Sequence, residues 1–422
     1  MNCKKTTLKN GLRVITVPMK GTETATAMVM AGVGSRYETE KEAGLSHFIE
    51  HMFFKGTKRR PNALAISEEL DSIGGEFNAF TSKDTTAYYA KVDCKHFEVA
   101  LDVISDMYLN SKISAEEIER ERGTILQELS MYEDTPMRVV SDVFENLLYK
   151  KSPLGRDIIG YKKTIKAFKR KDFIDYMKRF YTANNSVVCA AGKFNEKKII
   201  GQIKKYFSGM RNKQNPEFQK VAEKQLKPQI KLKYKKTDQT HLVLGARAYD
   251  YNHKDRFALS VLAVILGGNM SSRLFIEVRE RRGLAYSVKT GVEAYNDCGY
   301  LATQAGVEHK NLSRAVEIIL KEYKKIATKE VSKRELRKAK DYIKGKSVMS
   351  FESSDEVAMF FIDQEVKKKK IMPMKELFEK IDKVTAEDIL KVSRDIFKPE
   401  KLNLAVIGPH KDGRGLEKLL KL

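Results

Sequence analysis

Residues 178–194 read KRFYTANNSVVCAAGKF: an aromatic helix end, a polar turn, then a run of small and β-branched apolar residues that suits a strand. A second passage, 395–410, reads DIFKPEKLNLAVIGPH and repeats that order of helix end, turn and apolar strand. Two closing strands of like character in one chain point to a duplicated unit.

Working back from the first closing strand, TTLK and LRVITVP flank Asn10-Gly11, the dipeptide best suited to a type I′ hairpin turn. A strand at 25–34 follows, then a helical stretch from His47 to Phe54, a helix near 63–73 and a hairpin at 74–93. Helices are predicted near 96–110, 115–132, 136–148, 172–180 and 195–207. The second half has a strand at 240–249, a helix at 257–267 and a strand at 299–308. Helices near 311–328, 332–349, 354–366 and 385–396 complete it. The stretch 208–228 is poor in apolar residues and rich in turn formers, which makes it a linker. The expected organisation is residues 1–207, a linker at 208–228, and residues 229–422. The fold class is α+β, as two similar domains, each a largely antiparallel sheet with helices on one face.

A length of 422 residues suits two cores of roughly 200 residues each. No run of about 18 apolar residues is present to form a membrane span. The opening MNCKKTTLKNGLRVITVP lacks the apolar core of a secretory signal and enters a hairpin pattern at once, so the expected location is cytoplasmic. Four cysteines lie far apart without C-x-x-C spacing, and disulfides are not expected. The net charge of +23 raises nucleic-acid binding. The cations are interleaved with Glu along predicted helices, however, and no nucleic-acid-binding motif accompanies them. A Lys-rich solvated surface is the expectation, with neither nucleic acid nor membrane as partner.

Chemistry concentrates in His47-Phe48-Ile49-Glu50-His51. On a helix, positions four apart share a face, so both imidazoles can reach one ion. Glu50 falls on the same face, where a carboxylate that is not a ligand can act as general base on water. Catalytic zinc usually takes three protein ligands. The third can come from 113–134, ISAEEIERERGTILQELSMYED, where Ser114 and Glu117 form a capping box and Ile118, Ile125 and Leu129 a buried stripe. Glu121 and Glu128 stand two turns apart on one face of that helix. Periodicity does not choose between them.

The surrounding residues resemble a known family. GLSHFIEHMFFKGT at 44–57, GSRYE at 34–38, IGGEFNAFTSKDTTAY at 73–88, EIERERGTILQELSMYEDTP at 117–136 and LGGNMSSRLFIEVRERRGLAYSV at 266–288 are similar, in this order, to segments of the M16 (pitrilysin-like) metallopeptidases. The likeness is greatest to small members such as the mitochondrial processing peptidase β subunit and its bacterial relatives. The resemblance implies a zinc endopeptidase holding one Zn2+ per chain through His47, His51 and Glu128. Glu50 is then the base, and Glu121 orients a ligand His. It also implies that Arg279 and Tyr286 contact substrate and stabilise its oxyanion, and that Asn78, Ala79, Phe80 and Thr81 form an edge strand to which a peptide adds. Two domains facing each other across a chamber are implied, in a homodimer or a heterodimer with a related chain. The alternative is a non-catalytic assembly subunit of the same fold, for which an intact H-x-x-E-H serves no purpose.

Overall fold

The apolar runs form two sheets in the computed structural model of the chain, which describes residues 3–214, 217–222, 224–368 and 370–421. The first sheet contains β1 (Lys4–Thr7), β2 (Arg13–Pro18), β3 (Thr24–Ala31), β4 (Glu76–Thr81), β5 (Thr86–Asp93) and β6 (Ser186–Gly192), in the order β1-β2-β6-β3-β5-β4. The second contains β7 (Gln229–Tyr234), β8 (Thr240–Ala248), β9 (Ala285–Ala294), β10 (Gly299–Val307) and β11 (Leu402–Gly408), in the order β7-β11-β8-β10-β9. Without β1 the two orders coincide strand for strand. In each set of five the last strand pairs in parallel with the first, β6 with β2 (Ile15 beside Cys189) and β11 with β7 (Leu232 beside Val406), and every other pairing is antiparallel. The fold is α+β and duplicated.

The expectation of helices on one face is corrected. β6 is buried along its whole length, and β3 from its second residue onward. On one side of the first sheet Met28, Met30, Val187 and Cys189 pack against Val357, Phe361 and Ile362 of the helix Ser354–Lys368. The helix α1 spans Leu45–Phe53, α2 spans Ala63–Asp71, and α3 (Phe97–Asn110) packs on β3 and β5, whose remaining side chains are also buried. In the second sheet, Leu244, Leu404 and Val406 meet the helices Arg256–Gly267, Leu312–Thr328 and Ala386–Ile396. Val243, Ala405 and Ile407 meet Val140 and Phe144 of the helix Pro136–Leu148 on the other side. Strands such as SVVCAAG lack alternation because both their faces need cover.

The chain accordingly divides into units that are not contiguous in sequence. The first comprises the chain up to Leu129 with Arg156–Gln219 and Ser347–Met374; the second comprises Ser130–Gly155, Lys220–Lys346 and the chain from Lys375. The segments 136–148 and 354–366 thus depart from the expected division into 1–207 and 229–422. Each packs on the sheet of the opposite half of the sequence, which offers an apolar face that its own helices leave bare. Glu365, fully buried, fastens the second of them by accepting from Lys5 Nζ at 3.1 Å and Arg13 Nη1 at 3.3 Å. Residues 215, 216 and 223 of the expected linker lie outside the described residues; its described residues contain neither helix nor strand.

The first hairpin differs from the expected two-residue turn. Thr7 and Arg13 are its last pair, and the Gly11 N–H donates to Leu8 O at 2.9 Å with Gly11 at φ 89°. The turn ends on a left-handed glycine, the G1-bulge form. Asn10 stays within this longer turn, its Oδ1 accepting from the Leu12 N–H at 3.2 Å and its Nδ2 donating to Phe207 O at 2.8 Å. The short helices Lys162–Ala167, Met374–Asp382 and Arg414–Leu419 escaped the periodicity reading, being only two or three turns long at most. None of the four cysteines is disulfide-bonded. Among the described residues no helix is long and apolar enough to cross a membrane.

Candidate metal centre

The site is built on α1, and the segment before it sets where α1 begins. Gly44 adopts φ 96°, and a side chain there would meet Ile159 O at 2.5 Å. The Glu38 carboxylate accepts from the Gly44 N–H at 2.8 Å and the Ser46 N–H at 2.7 Å, satisfying donors that the first helical turn leaves open. Burial pushes Glu38 up to about 7, against the pull of those two donors. Arg36 pairs with Asp84 at 3.1 Å, and the Ser35 and Arg36 N–H groups donate to Ser82 O and Lys83 O. The GSRYE segment therefore ties the start of α1 to the turn between β4 and β5.

The expected stripe of α4 (Ala115–Glu133) is buried at Ile118, Ile125 and Leu129, and Glu121 is buried with it. This places Glu121 and Glu128 against α1 at different heights. The His47 and His51 rings lie 4.6 Å apart. Glu128 Oε2 stands 3.6 Å from His47 Nε2 and 3.5 Å from His51 Nε2. Glu121 Oε1 instead meets His51 Nδ1 at 2.7 Å, while its Oε2 meets Lys55 Nζ at 2.5 Å. A carboxylate at Nδ1 holds the proton on that nitrogen and leaves Nε2 turned toward Glu128. Among the described residues His47, His51 and Glu128 are the one group of His, Cys, Asp or Glu whose ligand atoms all lie within 4.8 Å of one another.

Three carboxylates, Glu50, Glu121 and Glu128, share this small volume. Burial holds Glu50 above its ordinary value and Glu128 adds to that, while the Thr81 hydrogen bond and His51 oppose it. Burial works against charge on His51, but the Glu121 hydrogen bond and the charges of Glu121, Glu128 and Glu50 outweigh it and raise its pKa. Glu121 is also desolvated, and the hydrogen bonds from His51 and Lys55 nonetheless hold it below its usual range. The cluster thus gathers three carboxyl groups and two imidazoles, donor types that a divalent cation takes.

Asn78, Ala79, Phe80 and Thr81 lie in β4, the terminal strand of the first sheet. Thr81 turns its hydroxyl to Glu50 Oε2 at 2.6 Å. Arg279 and Tyr286 belong to the second unit and are neighbours there. The Arg279 guanidinium, in the π-helical turn Phe275–Glu280, lies 4.8 Å from the Tyr286 ring and 4.8 Å from the Phe275 ring. Tyr286 is 80% exposed. Sequence reasoning missed the contacts of Lys55, Glu38 and Thr81. Lys55 sits four residues after His51, a spacing that carried a usable signal; the other two depend on how distant segments meet.

Residues 13–162 match the family model described as insulinase (peptidase family M16), and residues 167–343 match the peptidase M16 inactive domain. An uncharacterized zinc protease of Streptomyces coelicolor is 34% identical over 415 residues, covering 97% of this chain and 90% of the relative. The uncharacterized zinc protease YmxG of Bacillus subtilis is 34% identical over 414 residues, covering 96% and 98%. A protease from Helicobacter pylori has a similar crystal structure, with TM-score 0.90 at 25% identity over 97% of this chain and 99% of that one. A Pseudomonas fluorescens structure described as a peptidase M16 inactive domain shares the fold, with TM-score 0.88 at 18% identity over 97% and 99%. With both family models matched in order and relatives similar from end to end, the chain belongs to the M16 peptidase family, among relatives named zinc proteases.

Proposed function

We propose that the protein is a zinc-dependent endopeptidase acting on peptides or unfolded segments, with His47, His51 and Glu128 holding one Zn2+ per chain. The observation that carries this reading is the convergence of two imidazole Nε2 atoms and one carboxylate oxygen from separate helices. Their separations of 3.5 and 3.6 Å suit the roughly 3.4 Å edge of a tetrahedron with bonds of about 2.0–2.1 Å. Two nitrogens and one oxygen are also a donor set that leaves a fourth position open, as in catalytic zinc sites.

Zinc bound there supplies Lewis acidity and lowers the pKa of water to about 7. Glu50 takes the water's proton at the carboxylate oxygen that Thr81 does not occupy, and returns it to the leaving amine. Glu121 keeps the proton of His51 on Nδ1 and fixes the ring's orientation. The backbone of Asn78–Thr81 binds the substrate as an added strand, which gives affinity with little dependence on side chains. Arg279 and Tyr286 donate hydrogen bonds to the negative charge that develops on the substrate carbonyl oxygen. The working form is a homodimer or a pair with a related chain, which sedimentation of the purified protein distinguishes from a monomer.

The test is Glu50→Gln. Purified protein should contain equimolar zinc, and the variant should keep that zinc while losing turnover of a quenched peptide. Undiminished turnover would remove the peptidase reading. Absence of zinc from the purified wild type, with no gain of activity on adding it, would favour the assembly-subunit alternative.

A further inference from the structure

Thr81 closes β4 and is held from two sides. Its register partner is Thr86, and the turn between them is fixed by the Ser82 N–H donating to Thr85 O at 2.8 Å. Ser82 Oγ accepts from the Asp84 and Thr85 N–H groups at 3.2 and 3.0 Å, and Lys83 Nζ donates to Arg156 O at 2.6 Å. The Thr81 hydroxyl therefore projects from an anchored backbone. Its proton has a defined destination. Thr86 Oγ1 donates to Val33 O at 2.9 Å and lies 3.5 Å from Thr81 Oγ1, whereas Glu50 Oε2 is 2.6 Å away and accepts only. A hydroxyl donating to a carboxylate is a charge-assisted bond, stronger than a neutral one and sensitive to direction.

We propose that Thr81 is a positioning residue for catalysis: it holds Glu50 by Oε2, so that Oε1 is the oxygen presented to the attacking water. The inference rests on the reading of Glu50 as general base. It also gives β4 two duties, because the strand whose backbone would receive a peptide ends in the side chain that orients the base. Substrate seated one residue out of register on β4 then loses alignment with Glu50 as well as with the metal.

The experiment compares Thr81→Val, Thr81→Ala and Thr81→Ser in the full chain. With a quenched peptide, Val and Ala should lower kcat about 10–100-fold, leave KM within about twofold and leave zinc content unchanged. Ser, which keeps the hydroxyl, should recover most of kcat. A change confined to KM would mean that Thr81 only binds substrate, and would overturn the proposal. Wild-type kcat in Thr81→Val, beside an inactive Glu50→Gln, would overturn it while leaving the peptidase reading in place. A readout independent of turnover is the double-mutant cycle of Thr81→Val and Glu50→Ala in denaturant unfolding of the zinc-free protein. Non-additive effects are expected; additive ones would sink the proposal even if no peptide is ever cleaved.

Discussion

His51 is engaged on both sides of one ring, and that sharing makes the cluster sensitive to single atoms. Glu121 reaches Nδ1 at 2.7 Å and is itself braced by Lys55. Replacing Glu121 with Gln keeps an oxygen able to accept from Nδ1 but removes the charge that makes the ring a good donor. Zinc affinity should fall about 10–100-fold, measured by competition with a chromogenic chelator. The same substitution at Glu128 removes a direct ligand in the proposed site, so the loss there should be larger and stoichiometric zinc should not survive dialysis. Equal zinc retention by both variants would contradict the assignment of their roles.

At the scale of elements, α1 is secured beyond its C-terminus by a charged cluster on α3. Arg60, buried, contacts Glu69, Asp102 and Asp106, and Thr57 donates to Asp106 Oδ2 at 2.6 Å. Burial alone would raise both aspartates, but hydrogen bonds from Arg59 and Arg60 hold Asp102 below its ordinary value, and those from Thr57, Asn110 and Arg60 do the same for Asp106. A carboxylate with a depressed folded value stabilises above its unfolded value near 3.8, and that contribution is lost as pH falls through the folded one. Stability from this cluster should therefore be constant at neutral pH and fade progressively as pH falls below about 4. Asp106→Asn should cost about 3 kcal/mol at pH 7, because it leaves Arg60 short of a buried partner, and should flatten the acid limb of the unfolding curve. Urea unfolding at several pH values checks both effects.

Over the whole molecule, the chain crosses between its units five times, and this decides how it can be cut. The helix Ser354–Lys368 brings Val357, Ala358, Phe361 and Ile362 onto the first sheet. At about 1.5–3 kcal/mol for each large apolar side chain, their burial is comparable with the 5–15 kcal/mol total of a domain. A fragment ending at residue 214, in the expected linker, keeps every residue of the proposed zinc site but leaves Met28, Met30 and Cys189 uncovered. It should bind a hydrophobic dye and lack cooperative unfolding, and co-expression with residues 217–422 should abolish the dye binding and restore cooperative unfolding. A fragment that unfolds cooperatively alone would show that the helix is dispensable.

The sequence by itself determined what lies on one element. Spacing of four puts His47 and His51 on one helix face with Glu50 beside them, and the paired closing strands at 186–194 and 402–410 reveal the duplication, since helical and strand periods are local properties. Positions of the longer helices were legible to within a few residues because their apolar stripes are local as well, whereas Lys162–Ala167, Met374–Asp382 and Arg414–Leu419 are too short to show one. Only the tertiary structure decided which of Glu121 and Glu128 stands toward Nε2, that Thr81 reaches Glu50, and that 136–148 and 354–366 each cover the opposite half's sheet. Those outcomes depend on how segments far apart in sequence cross and on which apolar faces remain bare after local packing, and no window of periodicity contains that information.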